Sequence, residues 1–505
     1  MSEEETCSEG TDSTCPHVKK EDTTSAFKCK AITAVASVAL YIMFFQLDII
    51  SAQIAIGFDI PVHNTSIYLE KLFGIRFLTF FFGRVTEYII FRSYSKVASD
   101  QGEEQLRYVR AQMNIAAFGV LLLGRVILFL VTCFSSNPAY HVYFALAFEA
   151  FGIGCSGAAF CSTYPRHCTV IILFAHVSRL VTFIVQFVLD RAFKNSMPKI
   201  KCQFFFCTLL SIVAVIGLYQ YQHGDTGCKV NKTLADMEKK LVKQQRDDNA
   251  TKHPEVHGGG KEEQIKETEQ AKQEDTMPEL GFIRTFGRAA SPFFMYSAGS
   301  LFFDTLFPGI LPYAFDTRER CHMINMIIPF AGVTGTILLV GLESADIYQK
   351  WLPELDAAWL IAIPMAIVFV YSILAVHTRI PSARKIIKNR PRIMAMTFTG
   401  ALGNSFMDPL SFSGVIKVLF LSGFKPDVEV LLLHEITCIL VRFYHYKISV
   451  GYNVTRINLG YILPKFRPNH RMSKWNTFWY ILREMFRKAG RDAISDLTMN
   501  VKEYL

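Results

Sequence analysis

Residues 302–315 have the sequence FFDTLFPGILPYAF, and this stretch decides the kind of fold that the chain can form. It is apolar enough to lie within a lipid bilayer, yet it contains the carboxylate of Asp304. A carboxylate in hydrocarbon is costly unless it faces a water-filled cavity or a partner group. Pro308, Gly309 and Pro312 weaken the helix beyond it and can turn backbone carbonyls towards such a cavity. The stretch predicts one wall of a polar pathway, and the alternative is a kinked packing helix in which Asp304 pairs with a basic neighbour.

The composition of the whole chain indicates a membrane protein. Of its 505 residues, 51% are hydrophobic, 43 are Phe and only 19% are charged, whereas about a quarter of the residues of a soluble protein are charged. The net charge of +9 lies in loops and tails beside apolar segments, so it does not indicate nucleic-acid binding. The 12 Cys form no CxxC pair and no metal-ligand spacing, so we expect no metal site.

Eleven segments are candidates to span a membrane, which takes about 20 mostly apolar residues. Six precede a polar insert at 222–284 and five follow it. The insert is rich in Lys, Glu and Gln, so it cannot bury a core and is predicted to be disordered. We therefore predict an all-α integral membrane protein with about eleven transmembrane helices in a six-plus-five arrangement. The predicted segments are 31–57, 72–93, 112–134, 140–163, 168–190, 202–221, 286–315, 321–343, 356–378, 392–422 and 427–450.

These segments divide the chain into five parts. A polar cytoplasmic tail (1–30) precedes an N-terminal six-helix bundle (31–221), and the cytoplasmic insert 222–284 connects it to a C-terminal five-helix bundle (285–450). Residues 451–505 form a basic tail, whose WNTFWYILREMFRK segment predicts an amphipathic helix on the membrane surface.

Basic residues in short loops favour the cytoplasm and thereby orient a membrane protein. A cytoplasmic N-terminus fits the first half of the chain. The loop at 379–392, however, has six basic residues, and eleven spans place it on the other side together with the basic tail. Either an early segment fixes the orientation or the second half has one more span. We expect a multi-pass protein of the plasma membrane rather than of an internal membrane.

Polar side chains within the predicted spans are the candidates for a binding site, because such groups are rare in lipid and usually functional. Both halves supply them. Their carboxylate and amide groups suit a small polar solute with several hydroxyls, and a carboxylate could also bind a proton. We expect Arg179 to contact the solute or to act as a gate partner, with Asp304 as its possible ion-pair partner. The residues that we expect to line a central site are Gln46, Asp48, Arg179, Asp304, Asn404 and Asp408.

No enzyme motif occurs in the chain. It contains no HExxH, no GxSxG and no Walker A pattern. We therefore expect a protein that is not an enzyme and that needs no cofactor, with the lipid bilayer and a small solute as its partners.

Four short motifs accompany the six-plus-five organisation. Residues 305–309 are TLFPG, a glycine-rich fourth segment ends in STYP at 162–165, the tenth contains GNS at 403–405, and FKP at 424–426 precedes the eleventh. In these features the chain resembles the equilibrative nucleoside transporter family. It departs from that family in its eighth segment, IIPFAGVTGTILL, which lacks the Asp and Arg of an Asp-x-x-Gly-Arg pattern. Its composition, which is rich in Phe and Lys, is also similar to that of multi-pass families expanded in piroplasm parasites.

The resemblance implies a major-facilitator-like fold with one span missing. It also implies facilitative transport of nucleosides or nucleobases by alternating access. Two alternatives stay open. One is a multi-span membrane protein of a parasite-expanded family with no transport role, which acts through its tails. The other is a twelve-span major-facilitator carrier of another small polar solute.

Overall fold

The computed structural model describes residues 21–99, 103–163, 168–223, 281–345, 347–348, 350–420, 428–463, 466–498 and 501. Every regular element within these ranges is a helix. The predicted disordered insert lies outside the described residues except at its two ends.

Six long helices build the first half of the chain, and each covers one predicted span. The first of them begins inside the predicted polar tail. Their bounds are α1 (Glu21–Gly57), α2 (Thr65–Ser99), α3 (Glu103–Phe134), α4 (Pro138–Thr163), α5 (Cys168–Ala192) and α6 (Ser196–His223).

The second half is more interrupted, and two of its predicted spans each consist of two helical segments. Helix α7 ends at Asp304, where the predicted weak stretch follows as a series of turns over 305–315. Helices α8 and α9 together cover the eighth predicted span, and a 3-10 helix with α10 covers the ninth. The bounds are α7 (Phe282–Asp304), α8 (Arg318–Asn325), α9 (Ile328–Ser344), the 3-10 helix (Pro353–Ile361), α10 (Ala362–His377), α11 (Pro381–Arg384), α12 (Arg390–Phe420), α13 (Val428–Asn458) and α14 (Lys474–Leu497).

Six helical segments of the described chain are long and apolar enough to cross a membrane by length and composition. They belong to α1, α3, α5, α6, α8 with α9, and the 3-10 helix with α10. The other long helices before the tail are α2, α4, α7, α12 and α13, and each carries at least one buried charged side chain. Buried charged side chains also occur on the apolar helices, such as Arg125 on α3 and Arg179 on α5.

The helices form two groups that face each other. In the first half α4 packs on α2 and α3, and α1 packs on α5 and α6. In the second half α7 packs on α12 and α13. The halves meet where α2 packs on α13 and where α5 packs on α9. We call the end with the α1–α2 loop the first-loop side, and the end with the last turn of α6 and the first turn of α7 the linker side.

One close crossing shows how the small residues of α4 are used. A Cβ added to Gly154 would overlap the backbone oxygen of Phe80 on α2, and one added to Gly83 would overlap that of Phe151. Two backbones come this close only where side chains are absent. The glycines of the fourth span therefore hold α2 and α4 together.

Helix α14 contains the segment predicted to be amphipathic, and it turns its polar face to the protein. Its polar residues Asp492 and Asp496 are buried, whereas Trp475 is 66% exposed. The two carboxylates pair with Lys71 of α2 and Lys447 of α13. Helix α14 thus joins the two halves on the first-loop side, with aromatic side chains facing outwards.

Candidate functional site

A small cavity lies between the two halves. Its volume is about 20 Å³, which is room for about one water molecule. Half of its lining is aromatic and half is polar or charged. The lining residues are Phe44, Phe45, Asp48, Phe73, Arg76, Phe77, Arg179, Phe303, Asp304, Asn404, Arg442 and Tyr446.

The second half contributes an ion triad centred on Arg442 of α13. Its Nε lies 3.1 Å from Oδ2 of Asp304, and its Nη2 lies 3.1 Å from Oδ2 of Asp408. The hydroxyl of Tyr446 donates to Oδ1 of Asp304 at 3.1 Å, and that of Ser300 donates to Oδ2 at 2.6 Å. The buried carboxylate of Asp304 is therefore fully satisfied by hydrogen bonds and one cation.

The first half contributes a looser ion pair. Arg179 Nη1 lies 3.7 Å from Oδ2 of Asp48, and its guanidinium stacks 3.8 Å from the ring centre of Phe45. Among the residues that the structure describes, none forms a hydrogen bond with the buried Nε of Arg179. Gly332 of α9 makes room for this guanidinium, since a Cβ there would overlap it. A buried donor without a partner is unusual and costly, and here it belongs to a residue that lines the cavity.

A second arginine in the lining, Arg76, pairs with a carboxylate that lies outside the lining. Its Nη2 lies 3.3 Å from Oε2 of Glu149, and Arg125 binds the other oxygen of the same carboxylate at 3.1 Å. Both guanidiniums are almost fully buried. The buried carboxylate of Glu149 therefore links Arg76 of the lining to Arg125 of α3.

Aromatic rings cross the interface between the halves at the cavity. The ring of Tyr446 on α13 stacks on Phe73 and Phe77 of α2, with centroid distances of 5.5 and 5.6 Å. Arg442 lies 5.5 Å from the ring centre of Phe77. The two halves therefore touch here through flat apolar surfaces and a cation–π contact, which can separate without leaving backbone groups unpaired.

Polar contacts close the cavity towards both ends. On the first-loop side, Ser51 lies 2.8 Å from the hydroxyl of Tyr313, and Asn325 donates to Ser51 at 2.9 Å. On the linker side, Arg84 of α2 pairs with Glu435 of α13 at 2.6 Å. Both closures join one half to the other through side chains.

Four of the six predicted site residues line the cavity, namely Asp48, Arg179, Asp304 and Asn404. Asp408 lies one helical turn after Asn404 and is not part of the lining. It pairs with Arg442, which does line the cavity.

Gln46 is not brought to the cavity. It donates to Gln203 Oε1 at 2.6 Å and points towards α6. Two residues of a helix that are two positions apart differ in direction by about 200°, so Gln46 and Asp48 of α1 face opposite ways. The expected pairing of Asp304 with Arg179 is also wrong, because each is paired within its own half.

Sequence reasoning did not select Arg76, Arg442 or Tyr446 for the site. Arg442 and Tyr446 are four residues apart, which places both on one face of a helix. The spacing of this arginine and tyrosine within an apolar span is the sequence signal that could have identified both residues. Arg76 had no such partner in its own helix.

No protein-family model matches the chain, and no curated protein sequence matches it. Solved structures do share its fold. A crystal structure of a D-xylose-proton symporter has a TM-score of 0.52 and 10% sequence identity, covering 92% of this chain and 96% of that one.

The major facilitator superfamily proton:xylose symporter XylE, bound to 6-bromo-6-deoxy-D-glucose, has a TM-score of 0.52 and 12% identity, covering 93% of this chain and 95% of that one. These similarities confirm the predicted all-α, major-facilitator-like membrane fold. None of them supports the equilibrative nucleoside transporter family in particular.

Proposed function

We propose that the protein is a membrane transporter that carries a small polar solute by alternating access between its two halves. The observation that carries this proposal is a cavity at the interface whose charged lining comes from both halves. Asp48 and Arg179 belong to the first half, and Asp304 and Arg442 to the second. Ionisable groups buried in a membrane fold are costly and mark solute or ion pathways.

The conformation described here corresponds to a closed stage of such a cycle. A cavity of about 20 Å³ cannot hold a sugar, a nucleobase or a nucleoside. A solute would enter after one closure opens, either at Arg84 and Glu435 or at Ser51 and its partners. Polar side-chain contacts form each closure, and on the first-loop side the ion pairs that join α14 to Lys71 and Lys447 must separate as well.

The proposed solute class is a nucleoside or a nucleobase. Six aromatic rings and an amide line the cavity beside carboxylates and guanidiniums. A flat heterocycle would stack on the rings, which contributes about 1–3 kcal/mol per base in other proteins, and its polar edge would meet Asn404 and Arg179. The TLFPG motif and the six-plus-five organisation favour the same class through the resemblance described above.

Uptake of labelled solutes tests the proposal. Cells that express the protein at the surface are expected to take up labelled adenosine or hypoxanthine faster than control cells, with labelled xylose and a labelled dipeptide as comparison solutes. Preferred uptake of xylose or the dipeptide would retain the transporter and reject the nucleoside class. Absence of uptake of all four, with surface expression verified, would reject transport and favour a membrane protein without a transport role.

The unpartnered donor on Arg179 supplies the matching variant. Arg179→Gln is expected to reduce uptake by about tenfold or more, because a hydrogen bond from a charged donor contributes about 1.5–3 kcal/mol. The matched control is Arg191→Gln, at the exposed end of the same helix, which should leave uptake unchanged. Equal uptake by both variants would remove Arg179 from the site.

A further inference from the structure

Glu70 of α2 is a further buried carboxylate at the interface of the two halves, and it lies outside the cavity lining. It is one helical turn from Phe73, towards the first-loop side. Its side chain has no solvent exposure. Oε1 accepts a hydrogen bond of 2.7 Å from Ser449 of α13, while Oε2 has no hydrogen-bond partner in the described part of the chain. Among the described residues, no lysine, arginine or histidine nitrogen forms an ion pair with it.

The second half is shaped to fit this carboxylate. A Cβ added to Gly309 would overlap Oε1 of Glu70 and crowd Nδ2 of Asn453. The glycine of the TLFPG motif therefore leaves the space that Glu70 occupies. Nδ2 of Asn453 donates to the hydroxyl oxygen of Ser449, and that hydroxyl is hydrogen-bonded to Glu70. Glu70 is thus enclosed by α13 and by the turns after α7, which both belong to the opposite half.

The charged groups on each neighbouring element have their own partners. On its own helix, Lys71 pairs with the carboxylates of α14. On α13, Lys447 also pairs with α14, and Arg456 donates to Oδ1 of Asn453 at 2.7 Å rather than to Glu70. At the end of α7, Asp304 is bound by Arg442. Within the described part of the chain, no neighbouring cation neutralises Glu70 by contact in the closed interface.

We propose that Glu70 binds a proton whenever the two halves close on the first-loop side. An ionised carboxylate buried without a cation is strongly unfavourable, whereas the protonated acid can donate from Oε1 to the Ser449 hydroxyl, which then donates to the carbonyl oxygen of Thr305 at 3.0 Å. When this side opens, water reaches Glu70 and stabilises the ionised form. Closure then takes up one proton, so the ratio of closed to open protein should change by up to tenfold per pH unit. This inference rests on the alternating-access motion of the proposed function.

A cysteine placed in the closure on the first-loop side is labelled only when that side opens. Its labelling rate therefore measures the opening without any transport measurement. Ser51 is buried in the closed conformation, so a Ser51→Cys reporter should react with a methanethiosulfonate reagent only when the first-loop side opens. Val62→Cys, at an exposed position in the α1–α2 loop, corrects for the ionisation of the thiol itself. Labelling of the protein without either reporter is subtracted.

The corrected labelling rate is expected to rise by up to tenfold per unit between about pH 5.5 and pH 8. In Glu70→Gln the side chain is permanently neutral, so the rate should stay low and independent of pH. The matched control Glu354→Gln, at an exposed carboxylate, should keep the pH dependence. A flat pH profile without the Glu70 substitution, or an unchanged pH profile in Glu70→Gln, would overturn the proposal.

Ser449→Ala keeps the test decisive if Glu70→Gln fails to fold. Loss of the hydroxyl that stabilises the ionised form should move the midpoint of the labelling profile to higher pH by about one to two units. An unmoved midpoint would contradict the role of Glu70. Uptake of labelled adenosine by the same cells separates the two proposals. A pH-dependent opening without uptake of any solute rejects the transport function alone, and uptake with a pH-independent opening rejects the proton site alone.

Discussion

Replacement of Arg442 by methionine tests the ion triad at the centre of the interface. The substitution removes the cation that binds both Asp304 and Asp408 at 3.1 Å and retains much of the side-chain volume. Asp304 is only 2% exposed, so its charge cannot be hydrated in place. Removing one partner of a buried ion pair costs about 3–5 kcal/mol, and we expect a loss of that size in the free energy of unfolding.

A triple variant distinguishes an unpaired charge from lost packing. Adding Asp304→Asn and Asp408→Asn to Arg442→Met removes both stranded carboxylates, while the amide oxygen of residue 304 can still accept from Tyr446 and its amide nitrogen can donate to the hydroxyl oxygen of Ser300. A neutral replacement of a buried ion cluster is often tolerated, so most of the lost stability should return. The assay is unfolding of the purified protein in mixed micelles by titration with denaturing detergent. A triple variant as unstable as the single one, or a single variant that loses less than about 1 kcal/mol, would refute this reasoning.

Two further predictions concern helix α14. Gly451→Ala places a Cβ against the backbone oxygen of Met485 and should weaken docking of α14 by about 1–3 kcal/mol. The weaker docking should appear as faster hydrogen exchange over residues 474–497. The control is Gly490→Ala, whose Cβ would meet open space, and it should leave docking intact or strengthen it. Burial raises the pKa of Asp492, but Lys447 and Lys71 more than offset this effect and hold the pKa below its usual value. The resulting stabilisation is present above the unfolded pKa of about 3.9 and is lost as the pH falls through the lower folded pKa. Hydrogen exchange of α14, corrected for its intrinsic pH dependence, should therefore stay constant from about pH 8 to pH 5.

The helical segments and the all-α membrane fold could be predicted from the sequence because hydropathy and helix length are local properties. The break at Asp304 is also local, since Pro308, Gly309 and Pro312 act on their own backbone. The same reasoning found four residues of the cavity lining, because a polar side chain in an apolar span has few other roles. The amino-acid sequence therefore predicts the properties that each segment has on its own.

Properties that depend on which helices meet could not be predicted. Gln46 and Asp48 are equally polar and two residues apart, and only the position of α6 decides that Gln46 points away from the cavity. Glu70 has no distinguishing neighbour in the sequence, and its burial follows from α13 and Gly309, which enclose it. The face that α14 turns to the protein is set by Lys71 and Lys447, which lie 421 and 45 positions before Asp492 in the chain.

A reversible cross-link on the first-loop side tests the central claim of alternating access most directly. Ser51 of the first half and Asn325 of the second are 2.9 Å apart between Oγ and Nδ2, so cysteines at both positions can be bridged by a short bis-methanethiosulfonate reagent. Bridging is expected to reduce uptake of labelled adenosine to background and reduction to restore it, while the parent protein and the two variants with only one of the added cysteines stay unaffected by the same treatment. Full uptake by a completely bridged protein would contradict a carrier whose halves must separate at this interface.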